Sequence, residues 1–168
     1  MNGIGFQLAT PANGSGGKIP MTIELAIASG YSEAQGALLV RSATGTFEAC
    51  GTDPTEVGAV ALDPGGADTS GFNILGRKEF PSLTMRGILV AGQKFWAPYQ
   101  GTVPTAVDNS TYGVTRATDG VWKIDFAKVG GGVLAYHGFP DKSPADAAGA
   151  GQDTLALVSF LPGVIQAL

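Results

Sequence analysis

Almost no stretch of this 168-residue chain can hold a helix of useful length, and that excludes more folds than any motif it carries. Glycine, proline, asparagine or serine interrupts the text every few residues, and no segment offers about ten residues of clean helical period. The nearest exception, "SPADAAGAG" at Ser143–Gly151, carries glycines that each cost about 1 kcal/mol relative to alanine in a helix. What stands between the interruptions is a series of short runs with β-branched and aromatic residues. The clearest case is "YGVTRATDGVWKIDF", Tyr112 to Phe126, in which Ala117-Thr118-Asp119-Gly120 separates two such runs. Asp-Gly in a turn-length gap signals a hairpin, because the turn needs a positive φ that glycine adopts freely. Comparable runs are "MTIELAIA", "GALLVRS", "FEACG", "EVGAVAL", "FNILGR", "SLTMRGILV", "KFWAPY", "GGGVLAYHGF" and "TLALVSFLPGVI", with Ala43-Thr44-Gly45-Thr46 as a second turn-sized gap. The pattern predicts an all-β fold, a small barrel or sandwich of about eight to ten short strands with little helix.

The length suits one sizeable core, and no charged or proline-rich linker divides the chain. The first segment, residues 1–20, has no hydrophobic period and is rich in Gly, Pro, Asn and Ser, yet holds isolated apolar residues at Ile4, Phe6, Leu8 and Ile19. It is expected to be an extended N-terminal arm with adhesive points, followed by a single β-rich domain over residues 21–168. "PGGADTSG" and "PDKSPADAAGAGQD" are expected to be surface loops.

Charged residues make up only 14% of the chain, against about 25% in an average soluble domain. Glycine contributes 26 residues while the hydrophobic share of 44% is ordinary, so charge has been replaced by small residues rather than by a larger core. Oligomer interfaces favour such charge depletion at their centres. A net charge of −4, with no basic run longer than Arg77-Lys78, excludes a phosphate-tracking stripe, so no nucleic acid partner is expected. Cys50 and His137, one of each residue type, cannot supply a Cys/His zinc shell, and no metal or cofactor is expected. With no apolar run near about 18 residues and no leader-like start, the chain is expected to be soluble, off the membrane and synthesised in a cytoplasm.

The motifs that suggest catalysis fail on their own requirements. "NGSGGKIP" has Ala12 where a phosphate loop needs its first glycine and Ile19 where it needs Ser or Thr. "GIGFQL" lacks the third glycine of a dinucleotide fingerprint. Serine hydrolysis would need His137 alone as its base. Most acids, among them Asp53, Asp63, Asp108 and Asp119, sit beside turn residues, where Asp serves its own backbone rather than acid–base chemistry. No catalytic residue is assigned, and the chain is not expected to be an enzyme. Trp96, Trp122, Tyr99 and Tyr112 leave open a carbohydrate-binding platform, with core packing as the stronger expectation.

The order of segments carries a further signal. "GALLVRSATGTFEA", "VGAVALD", "PGGADTSG", "LTMRGILV", "GQKFWAP", "YGVTRATDGVWKID" and "ALVSFLPGV" follow one another over roughly residues 36–165. In this order the chain resembles the head decoration, or capsid cement, proteins of tailed bacteriophages. The resemblance implies a β-rich virion protein, commonly a homotrimer, on the outer surface of an icosahedral head, with the major capsid protein as its partner. It implies no catalytic residues. Under that expectation the partner-interface candidates are Phe6, Leu8, Ile19 and Pro20 of the arm, and Phe160 and Leu161 of the closing apolar run. The Gly-rich amino-terminal segment and "SPADAAGAGQD" depart from the family pattern. A tail structural protein and a carbohydrate-binding β-sandwich are the alternatives.

Overall fold

A computed structural model describes residues 5–9, 22–28, 30–62, 84–118, 120–139 and 155–167. It is nearly all β, with two curled sheets in a barrel- or sandwich-like arrangement, as the turn-separated runs predict. The described residues form twelve strands: β1 Gln7–Leu8, β2 Thr22–Ala26, β3 Leu38–Arg41, β4 Phe47–Ala49, β5 Ala59–Ala61, β6 Thr84–Leu89, β7 Lys94–Ala97, β8 Tyr99–Gln100, β9 Thr111–Arg116, β10 Trp122–Val129, β11 Leu134–Tyr136 and β12 Ala156–Phe160. The count exceeds the expected eight to ten for two local reasons. Pro98 has no N–H to donate to a ladder and divides "KFWAPY" into β7 and β8. Residues 5–9, read as part of an arm, contribute β1. The "FNILGR" run, the two long loops and "SPADAAGAG" lie outside the described residues.

The larger sheet has seven strands in the order β1-β7-β12-β11-β9-β10-β8, and the smaller has five in the order β2-β6-β5-β3-β4. The expected hairpin forms from β9 and β10, with Trp122 opposite Arg116 and Ile124 opposite Val114. Its turn is closed by Gly120 N to Ala117 O at 2.9 Å, with Gly120 at φ +79°. The β3–β4 hairpin closes in the same manner at Gly45, φ +88°. At the ends of the smaller sheet a parallel bridge joins Ile27 to Phe47, and Ala28 N donates to Phe47 O at 2.9 Å. The chain just after the outermost strand β2 is thereby linked to β4 at the other end of the sheet, and the sheet curls toward a small barrel.

Alternation places Phe95, Val158, Tyr136, Phe160, Leu134 and Tyr112 on the inner face of the larger sheet, all buried. They belong to one hydrophobic cluster with Leu25, Leu39, Phe47, Val60 and Met85 of the barrel strands. Phe6 enters this cluster: it is 2% exposed and lies 5.7 Å from the Phe160 ring and 6.5 Å from the Phe95 ring. Residues 5–9 are therefore part of the β-fold rather than of a free arm. The backbone at Gly5 and Phe6 donates to Gln35 O and Gly36 O, both at 3.0 Å, tying this segment to the barrel side while β1 pairs with β7.

Candidate functional surfaces

The structure distributes the expected interface residues differently. Phe6 and Phe160 are core residues, because an aromatic side chain gains more by packing against Phe95 than by facing water. As surface anchors both expectations are corrected. Leu8 is half-buried at the edge of the larger sheet, opposite Phe95. Leu161 is half-buried and donates its N–H to Val133 O at 3.0 Å, opening a C-terminal strap that includes a short 3-10 turn at Pro162–Val164. Ile19 and Pro20 lie outside the described residues.

The outer face of the larger sheet carries the residues that remain available. Cross-strand neighbours point to the same face, so Gln7, Trp96 and Leu157 form one row, and Lys94, Ser159, Ala135 and Thr111 form the next. Trp96, Leu157, Ser159, Ala135 and Thr111 are half-buried, while Lys94 and His137 are exposed. Across β1, β7, β12 and β11 the single formal charge is Lys94. The barrel strands differ sharply, carrying Glu24, Arg41, Glu48 and Arg86.

His137 meets Ser159 on this face, Nε2 to Oγ at 2.8 Å. That contact has the length of a nucleophile–base pair, and the sequence spacing gives no hint of it beyond the outward position of Ser159 in "ALVSF". Partial desolvation of the ring, and then the neighbouring Lys94 charge, hold the imidazole below its usual pKa, so it is neutral near pH 7. The pair lies on a sheet whose nearby N–H groups are spent in strand pairing, as His137 N is on Leu157 O at 2.8 Å. Oxyanion stabilisation needs such donors free. The arrangement is a cross-strand hydrogen bond that orients two polar side chains on a face whose one formal charge is Lys94.

The aromatic platform considered for carbohydrate loses two members to the core: Trp122 is 1% and Tyr112 2% exposed. Tyr112 instead joins Phe126 and Tyr136 in edge-to-face contacts with centroids 5.1 to 6.1 Å apart. Its hydroxyl donates to Asp108 Oδ1 at 3.2 Å. Asp125 is the one buried charged side chain among the described residues, and local donors occupy it: Ala127 N at 3.1 Å to Oδ1 and Gln100 Nε2 at 3.1 Å to Oδ2. Its position beside the irregularity between Asp125 and Val129 makes it a backbone brace. Cys50 is a buried free thiol; burial, with Glu48 and Glu56 nearby, pushes its pKa up to about 12, which removes thiolate reactivity at neutral pH. Among the described residues no three His, Cys, Asp or Glu side chains gather as a metal-ligand group, and no helix is long and apolar enough to cross a membrane.

Searches against family models, curated proteins and solved structures find no match to this chain.

Proposed function

We propose that this chain is a virion structural protein that decorates and cements the outside of an icosahedral phage head, bridging major capsid subunits as a homotrimer. The observation that carries the proposal is the outer face of the larger sheet, where four adjacent strands hold one formal charge and present Trp96 and Leu157 beside small residues. A face of this kind suits a large contact in which area and shape do the binding, with charge kept off the centre. The order of strand signatures over residues 36–165 supports the head over the tail. The carbohydrate-binding alternative is weakened by the burial of Trp122 and Tyr112.

A cement acts by mass action. Bound only to the expanded lattice, a ligand at about 100-fold excess over its Kd stabilises each site by about 2.7 kcal/mol. Three chains about one axis let each interface be weak while the trimer stays attached. The test mixes purified protein with expanded heads that lack it and measures occupancy, oligomeric state and the temperature at which DNA escapes. The expected result is a trimer that binds and raises that temperature, with Trp96→Glu folding normally but failing to bind. A strict monomer without affinity for heads, or heads whose heat resistance is unchanged by saturating protein, would refute the proposal.

A further inference from the structure

The strap engages the smaller sheet through one residue used twice. β3 and the chain leading into β5 are joined by Gly58 N to Leu39 O at 2.8 Å. Beyond that bond Gln166 spans the two, its main chain on Val57 and its side chain on Arg41. Val57 N donates to Val164 O at 2.8 Å and Gln166 N donates to Val57 O at 3.0 Å, around the parallel bridge between Val57 and Ile165. Arg41 N donates to Gln166 Oε1 at 2.6 Å, and Gln166 Nε2 donates to Arg41 O at 2.8 Å. A backbone N–H only donates and a carbonyl only accepts, so Arg41 fixes the direction of both bonds and the orientation of the amide.

The same geometry selects the side chain. An ionised glutamate has no hydrogen for the Arg41 carbonyl, and alanine has neither group. Gly58 supplies the room: a Cβ there would stand 2.9 Å from Gln166 Oε1 and 3.3 Å from the Phe47 ring. Val164 and Ile165 pack half-buried against the core beside the fully buried Val57. The result is a slot for an extended segment, in which main-chain bonds hold the segment and one glutamine identifies it, as in strand addition.

The resident segment is lightly held. None of residues 161–167 is buried, and both side-chain bonds of Gln166 are exposed to solvent. A segment with few buried contacts opens locally at a small fraction of the cost of unfolding. Leu161 is tied to Val133 O, so an opened strap carries Val164 no farther than roughly 10 Å from that tie.

We propose that this slot is a docking site for the strap of a second copy, which enters when the resident strap lifts. The occupant follows from what fills the slot already: every copy carries Val164-Ile165-Gln166, and exchange of an identical element replaces each bond that it breaks. The short reach confines exchange to copies packed directly against one another at this side of the smaller sheet. Such exchange does not require attachment to a capsid.

The test is a two-dimensional NMR titration of the 15N-labelled full chain carrying Gln166→Ala, whose own strap has lost both side-chain bonds. The titrants are the peptide acetyl-Leu-Pro-Gly-Val-Ile-Gln-Ala-Leu-amide, the same peptide with alanine in place of glutamine, and unlabelled wild-type protein. Saturable shifts are expected at the amides of Arg41, Val57 and Gly58 with the glutamine peptide and with the wild-type protein. The alanine peptide should bind about tenfold more weakly, for the loss of two exposed hydrogen bonds. The unmodified chain should bind the glutamine peptide more weakly than the variant does, because its own strap competes at high effective concentration. Should the variant lose its fold, the two peptides titrated into the unmodified chain at higher concentration decide by the same difference. Equal binding of the two peptides, no shift with either, or shifts with the peptide and none with the wild-type protein would overturn the proposal.

Discussion

Gly36 shows how one residue can hold two parts of this fold together. It adopts φ +81°, and a Cβ built there would stand 2.6 Å from Gly5 C, a distance that real Cβ atoms do not tolerate. Its carbonyl accepts Phe6 N at 3.0 Å while its own N–H reaches Ala61 O at 2.8 Å, so the backbone cannot shift aside without losing bonds. Gly92 has a similar φ, +69°, but open space around it. Gly92→Ala should therefore cost about 1 kcal/mol, the conformational penalty alone. Gly36→Ala should cost more than about 3 kcal/mol, because strain and a backbone clash add. Urea unfolding of the two variants separates these terms; equal losses would show that the Gly5–Gly36 crossing does not exist.

Among the elements, β1 is one of two strands of only two residues, and its anchor is the preceding Phe6. Two residues of pairing with β7 cannot hold a strand in place, since a two-residue ladder offsets little of the entropy of ordering it. Phe6, wedged between Phe95 and Phe160, supplies the rest through apolar burial and tilted or edge-to-face ring contacts. Phe6→Ala should destabilise the fold by about 3 to 5 kcal/mol, whereas Leu8→Ala, at a half-buried position, should cost clearly less. Calorimetric melting temperatures of both variants test this. A Phe6→Ala protein melting with the wild type would return residues 5–9 to the status of a free arm.

The whole molecule is joined at several places, and the core outweighs the ion pairs among them. Arg116 with Glu33 and Lys128 with Asp53 link the β9–β10 hairpin to segments of the barrel side. Partly exposed pairs of this kind are worth about 0 to 1 kcal/mol. The strap adds Val57 N to Val164 O at 2.8 Å and Gln166 N to Val57 O at 3.0 Å. Buried acids give this core a signature in pH. Burial, with Glu48 and Glu56 nearby, raises the Cys50 thiol from 9.0 to about 12. Burial, then the neighbouring Tyr112, Tyr99 and Asp108, raises the Tyr136 phenol from 10.0 to about 12. The folded state keeps these protons where the unfolded chain has lost them, so unfolding releases protons at alkaline pH. Stability should hold below about pH 9 and decline progressively as pH rises toward 12. Denaturation midpoints measured through this range should fall, and Cys50→Ala should flatten the first part of the decline.

Local chemistry determined much of this protein directly from its sequence. Side-chain alternation and the need for a positive φ act over a few residues, which is why the Tyr112–Phe126 hairpin and the Gly45 turn are legible without coordinates. The surplus of Gly, Pro and turn residues likewise excludes a helical fold. Hydrophobicity states that a side chain tends to be buried, but not which neighbour will bury it. Phe6 in a text of loop residues, and Trp122 in the core while Trp96 stays half-buried, are decided by packing. The β3–β4 turn divides in the same way: its closure is written in "SATGT", whereas Gln166 reaches Arg41 from 125 residues away. The meeting of His137 with Ser159 and the bridge from Ile27 to Phe47 that links the two ends of the smaller sheet are also long-range events. Each is selected by the sheet register and core volume of the entire chain, quantities that exist only once the strands have packed together.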